Sequence, residues 1–268
     1  MTDRAVPIRA LIFDMDGLLV DTEDLAAGAL RQFLANHGRE MTEGTMERTL
    51  GRRLPEAIAI IKDHYGLSGE VVDLTRQYDL LRLEALRGNV VPMRGAADII
   101  RWAREAGLRL ALASSSNRTH VDLSLEEAGL AGAFDAEACG DEVTNGKPAP
   151  DIFLLAASRI SEQPAACVVL EDAPAGLAAA HAAGMRSIWV PNEKTRGLTP
   201  ETPYTLRASH LDEAREWLAR ESLRPAGGGR PVSGAASGRT RCRAPPPRRQ
   251  AAGSTGETRA GSSTRRSA

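Results

Sequence analysis

The sequence predicts an α/β fold: a doubly wound parallel sheet with a small helical bundle inserted after its first strand. Three observations carry that expectation. Short runs that are apolar on both faces alternate with stretches of three- and four-residue apolar spacing, as strands buried under helices on both sides require. Glycine closes one helical stretch after another, at Gly38, Gly66, Gly107, Gly129 and Gly184. One region, roughly residues 22–88, holds helical periodicity alone, without a convincing strand.

In chain order, Ile8–Phe13 is a short apolar run that stops at Asp14, so a buried strand gives way to a polar loop, Asp14–Asp21. Leu25, Ala29, Phe33 and His37 then recur at i+4, and Gly38 stops the helix. Pro55 opens a second helix carrying Ile58, Ile61 and Tyr65. Val71, Leu74, Tyr78, Leu81 and Ala85 make a third, up to Gly88. After Pro92 helices and strands alternate: helix 95–106, strand Leu108–Ala113, helix 117–128, helix 150–160, strand Cys167–Leu170, helix 174–183 and strand Ser187–Val190. Leu211–Ala219 is a last amphipathic helix. This organisation assigns residues 1–21 and 89–220 to an α/β core and 22–88 to an inserted helical bundle. Residues 221–268 form a disordered tail, because 30 of those 48 residues are Arg, Gly, Ser or Pro and none is aromatic. Such a segment buries too little apolar surface to offset chain entropy.

The 268 residues leave room for one large domain, or a core plus a small one. The formal charge of -1 hides a split: the tail carries ten Arg against Glu221 and Glu257, while residues 1–220 hold 24 basic and 33 acidic side chains. An Arg-rich tail can bind nucleic acid. Without interleaved aromatics or a recognisable module beside it, no nucleic-acid partner is expected. Cys139, Cys167 and Cys242 are odd in number and widely spaced, which suggests neither a disulfide framework nor a zinc knuckle and points to a reducing compartment. No apolar run approaches the roughly 18 residues of a membrane helix, and Met1–Arg9 has no signal-peptide pattern. The expectation is a cytoplasmic protein, monomeric or weakly dimeric.

Ligands of doubly wound sheets sit at the carboxyl ends of the strands, and that rule selects four segments. In Asp14-Met15-Asp16-Gly17, two carboxylates one residue apart can face one centre, the first attacking and the second handling protons. Ser114 supplies a hydroxyl, and Ser115, Ser116 and Asn117 supply backbone donors at a helix N-terminus, a place that holds phosphate; Asn117 also reads as a helix cap. Lys147, one of only three lysines, stands between Gly146 and Pro148, either as a selected charge or as a solvated turn. Glu171-Asp172 ends an apolar strand before Pro174, as a helix cap, as ligands for a hard cation, or as both.

Together these four segments resemble the haloacid dehalogenase superfamily over roughly residues 8–220. The resemblance is to the branch (subfamily IA) with a helical cap after the first motif, which contains phosphoglycolate-type phosphatases and β-phosphoglucomutase. It implies that Asp14 is a nucleophile forming an aspartyl-phosphate, and that Asp16 protonates the leaving oxygen and then activates water. It further implies that Ser114, Ser115, Asn117 and Lys147 bind the phosphoryl group of a small phosphorylated metabolite. Mg²⁺ would be held by the Asp14 and Asp172 carboxylates and the Asp16 carbonyl, with Glu171 acting through water.

Asp16 argues against dehalogenation proper, which attacks carbon and needs no acid there. Lys62, the only lysine between residues 22 and 88, lies beside Asp63 and reads as a surface lysine rather than a Schiff-base former. The main alternative is a β-phosphoglucomutase. Those enzymes usually carry a His shortly after the Asp-Thr of the first motif, where this chain has Ala26, and that departure favours hydrolysis. A non-catalytic binding protein on the same fold is a further alternative, though neither the nucleophile nor the metal acid is missing. Arg52 and Arg53, following Gly51, are candidates to reach a second anionic group on the substrate, or else are solvated arginines.

Overall fold

The computed structural model describes residues 6–222 apart from Glu47 and Leu50. The expected disordered tail lies, from residue 223 on, outside the described residues. In chain order the elements are β1 (Ala10–Phe13), β2 (Val20–Asp21), α1 (Glu23–Asn36), α2 (Leu54–Tyr65) and α3 (Val71–Leu86). They continue as β3 (Val91–Pro92), α4 (Ala96–Glu105), β4 (Arg109–Ser114), α5 (Arg118–Glu127), β5 (Ala136–Cys139) and α6 (Asp151–Arg159). The last are β6 (Cys167–Glu171), α7 (Pro174–Ala182), β7 (Arg186–Trp189), β8 (Leu206–Arg207) and α8 (Leu211–Ser222). Among the described residues no helix is long and apolar enough to cross a membrane.

Six strands form one sheet in the order β5-β4-β1-β6-β7-β8, and every neighbouring pair is parallel. β1 runs between β4 and β6, so the strand order reverses there, and a crevice opens beyond its carboxyl end. The period-two alternation of β1 explains its unbroken apolar run. Leu11 and Phe13 pack with Leu110, Leu112, Val168 and Ile99 on one face of the sheet. Ala10 and Ile12 pack with Ala111, Val169, Phe153 and Ala180 on the other. Helices α1–α3 bury a separate cluster that includes Leu30, Phe33, Leu34, Ile58, Leu74 and Tyr78.

Two sequence expectations need correction. Asp14–Asp21 is not a wholly polar loop: Met15, Leu18, Leu19 and Val20 are all buried. The amides of Leu18, Leu19 and Val20 converge on the Met15 carbonyl, which folds these side chains under the strand end. The four short strands β2, β3, β5 and β8 were also not anticipated. Two residues are too few to show a period of two. β5 reads Ala-Glu-Ala-Cys at the edge of the sheet, where Glu137 points to Arg118 rather than into a core.

Candidate active site

Each site side chain reaches the crevice from a strand end or the turn behind it. β1 delivers Asp14, and the chain then turns sharply at Gly17, which has φ +80°. A Cβ there would stand 2.6 Å from Asn192 Nδ2 and 2.9 Å from Asp172 Oδ2, so the turn needs glycine for space as well as for backbone angle. β6 delivers Glu171 and Asp172, and the loop beyond β5 delivers Lys147.

Lys147 Nζ donates to Asp14 Oδ1 at 2.5 Å and to Glu171 Oε1 at 2.6 Å. All three side chains are almost wholly buried. Burial pushes the Asp14 carboxyl up to about 8, against the pull of Lys147 and with the push of Glu171. Burial, then the charges of Glu171 and Asp14, hold Asp172 well above the usual carboxylate range. Burial disfavours the Lys147 cation, yet Asp14 and Glu171 outweigh it and raise the ammonium pKa above its ordinary value. Asp14, Glu171 and Asp172 each present a carboxylate oxygen within 4.8 Å of the others. Three hard, buried oxygen donors carrying more negative charge than one lysine balances could hold a divalent metal ion. Asn192 Nδ2 orients Asp172 by donating to its Oδ2 at 2.9 Å, and the Trp189 indole N–H donates to its carbonyl at 2.9 Å.

Asp16 sits in the opposite setting. Its Oδ1 accepts from Thr22 Oγ1 at 2.7 Å and lies 3.1 Å from His120 Nε2. Its Oδ2 accepts from Ser116 Oγ at 2.8 Å and from Ser114 Oγ at 3.3 Å. Burial alone would raise its pKa, but His120, Arg82 and Thr22 hold the carboxyl far below the usual range. Burial and the neighbouring Arg82 charge also push the His120 imidazole down.

Of the predicted residues, the structure brings Asp14, Lys147, Glu171 and Asp172 into one cluster, with Asp16 and Ser114 joined beside it. Ser115 turns its hydroxyl to the Gly51 carbonyl at 3.0 Å. The Asn117 side chain caps α5 by accepting from His120 N, and its Nδ2 donates to Asp79 at 2.9 Å. Arg52 is exposed and lines a cavity of about 450 Å³ that also reaches Asp14, Asp16 and Lys147. Arg53 is engaged elsewhere: it pairs with Glu56 and donates to the Val143 carbonyl at 2.7 Å, bridging the start of α2 to the Lys147 loop.

Sequence reasoning missed Thr22, Arg82, Ser116 as a side-chain donor, His120 and Asn192. Asn192 follows the next strand end, so the carboxyl-end rule could have reached it. His120, three residues past a capping Asn, carried a local hint. Arg82 carried none, since its place depends on how α3 packs.

Residues 8–184 match a family described as haloacid dehalogenase-like hydrolase. The chain is 36% identical over 202 residues to Protein CbbY of Rhodobacter capsulatus, covering 71% of this chain and 88% of that one. It is 30% identical over 182 residues to a phosphorylated carbohydrates phosphatase of Thermotoga maritima, covering 68% and 84%. The crystal structure of CbbY from Rhodobacter sphaeroides in complex with phosphate superposes with a TM-score of 0.71 at 30% identity, covering 77% of this chain and 96% of that one.

Proposed function

Because the chain belongs to the haloacid dehalogenase-like hydrolase family, we propose that it is a Mg²⁺-dependent phosphatase of a small phosphorylated metabolite, acting through an aspartyl-phosphate on Asp14. The observation that carries this reading is the pairing of Asp14 with Lys147 at 2.5 Å, at the carboxyl end of the central strand and beside a second, separately held carboxylate, Asp16. Residues 22–88 serve as the cap, residues 1–21 and 89–220 as the catalytic core, and the cavity between α1–α3 and the strand ends admits the substrate.

Asp14 attacks the phosphorus, and Lys147 offsets the charge of the phosphoryl oxygens as they approach a carboxylate. Ser114, with the backbone donors at Ser115 and Asn117, cradles the remaining oxygens. Asp14, Asp172, the Asp16 carbonyl and Glu171 would hold Mg²⁺, which supplies charge neutralisation between two anionic reactants. Asp16 passes a proton to the departing oxygen and later takes one from the water that releases phosphate. Arg52 is positioned to meet a further anionic or polar group of the substrate, and the likeness to a phosphorylated carbohydrates phosphatase supports phosphosugars as the class to try first. The buried free thiols of Cys139 and Cys167 support a reducing, cytoplasmic setting.

A panel of phosphorylated metabolites, assayed for released inorganic phosphate with Mg²⁺ and with excess chelator, tests the proposal. Asp14→Asn is expected to remove turnover almost completely, since an amide is a poor nucleophile. A folded Asp14→Asn protein that keeps more than about a tenth of the activity, a deficit of under about 1.4 kcal/mol in barrier, would sink the assignment.

A further inference from the structure

Arg82 stands on α3, yet a short hydrogen-bonded path leads from its guanidinium to one oxygen of Asp16. Its Nη2 donates to Ser116 Oγ at 3.3 Å, and that hydroxyl donates onward to Asp16 Oδ2 at 2.8 Å. The same Nη2 lies 3.4 Å from His120 Nε2, which stands 3.1 Å from Asp16 Oδ1. Ser116 can serve both neighbours, because a hydroxyl has one proton to give and lone pairs to accept with. His120 Nε2 cannot accept and donate at once. With Asp16 ionised, Nε2 carries the proton and donates to Oδ1, an assignment made from the contacts. Its Nδ1 is then the bare acceptor, and that atom is buried without a hydrogen-bond partner.

The guanidinium is itself fixed. Its side chain is 11% exposed and 4.0 Å from Asp79 Oδ1, and it lies 5.9 Å from the centroid of the Tyr78 ring. Asp79 Oδ2 in turn accepts from Asn117 Nδ2, the residue that caps α5. One turn of α3 therefore clasps the start of α5, where Ser116 immediately precedes the capping Asn117 and His120 lies in the first turn.

We propose that Arg82 is a positioning residue for proton transfer: through Ser116 it sets the orientation of the Asp16 carboxylate, and it does so only while α3 is seated on α5. This rests on the reading of Asp16 as the acid–base group. Thr22 and Ser114 hold one contact on each oxygen independently of α3, so loss of Arg82 leaves Asp16 bound but free to turn. Misorientation by a fraction of an ångström penalises a proton transfer more than it penalises binding.

The test is steady-state kinetics at saturating Mg²⁺ with p-nitrophenyl phosphate, whose leaving group needs little protonation, and with an alkyl phosphate, whose leaving group needs it. Arg82→Gln is expected to lower kcat on the alkyl ester about tenfold more than on the aryl ester, the size of one lost well-placed hydrogen bond, with KM nearly unchanged. In an Asp16→Asn background the same substitution should cost nothing further, since effects that act through one group do not add. Should Arg82→Gln fold poorly, Arg82→Lys keeps the charge but loses the fork, and should show the same selective loss.

Equal losses on both esters with a raised KM and weaker inhibition by inorganic phosphate would make Arg82 a substrate contact and overturn the inference. So would a full Arg82→Gln penalty in the Asp16→Asn background. If Asp16→Asn alone costs the two esters equally, the acid–base reading of Asp16 falls, and this inference falls with it.

Discussion

Asp14 and Asp16 are two residues apart and are pushed in opposite directions by their surroundings. Burial lifts the first to about 8, while His120, Arg82 and Thr22 overcome the same effect and hold the second down. An ionised Asp16 suits water activation. To protonate a leaving group it must load a proton as the phosphate dianion enters, which makes that step the one most exposed to its neighbours. The raised carboxyls Asp14 and Asp172 have a consequence for metal binding. Below their elevated pKa values they hold protons that a cation must displace, so affinity rises with pH as those protons leave. Mg²⁺ should bind the protein more tightly at pH 8 than at pH 6, read as a falling dissociation constant in titration calorimetry with Asp14→Asn/Asp172→Asn as the reference. An affinity independent of pH over that range would show that the cation does not sit on these carboxylates.

At the scale of elements, the site depends on close approach between helix starts and strand ends. Gly176, in the first turn of α7, faces Glu171: a Cβ there would fall 1.7 Å from Glu171 Oε1 and 2.0 Å from its Cδ. Gly176→Ala must therefore displace the carboxylate that accepts from Lys147 and from the Ala173 amide. Activity should drop at least about tenfold and stability by about 1–3 kcal/mol, the cost of overpacking a tight site. Gly28, in the middle of α1, is the matched control. Its added Cβ would meet nothing nearer than Arg31 Nη2 at 3.9 Å, so Gly28→Ala should raise stability by about 0.5–1 kcal/mol through helix propensity. Chemical denaturation of the two variants decides the point: equal, small effects would mean that Glu171 yields without consequence.

For the whole molecule, the acceptor that takes the phosphoryl group separates a hydrolase from a mutase. A mutase must keep an aspartyl-phosphate from water until a sugar hydroxyl arrives. Ala26 has no polar side chain with which to hold water back. It lines the cavity as a methyl group, and its carbonyl accepts from the Tyr78 hydroxyl at 3.1 Å. Water can then meet Asp16 whenever the cavity is open. β-Glucose 1-phosphate should yield glucose and inorganic phosphate, or no product, in phosphorus NMR. Accumulation of glucose 6-phosphate, accelerated by β-glucose 1,6-bisphosphate, would establish the mutase instead.

By itself the sequence determined four of the six strands of the sheet, β1, β4, β6 and β7, and the positions of their carboxyl ends. Those are local properties: a strand buried on both faces must be apolar throughout, and a carboxylate that interrupts it at Asp14 or Glu171 stands where the strand leaves the core. Helix spacing and glycine stops likewise announced α1 to α7 to within a few residues. The tertiary structure alone decided how the charges pair. Lys147 meets Asp14 across 133 residues, and His120 meets Asp16 across 104; no local pattern encodes such distances, because they follow from strand order and helix docking. The same holds for Arg82, whose arrival beside His120 depends on α3 lying against α5. Only packing could push two aspartates with the same intrinsic acidity in opposite directions, one upward and one downward, since burial and neighbouring charge, not residue type, set where a carboxyl titrates.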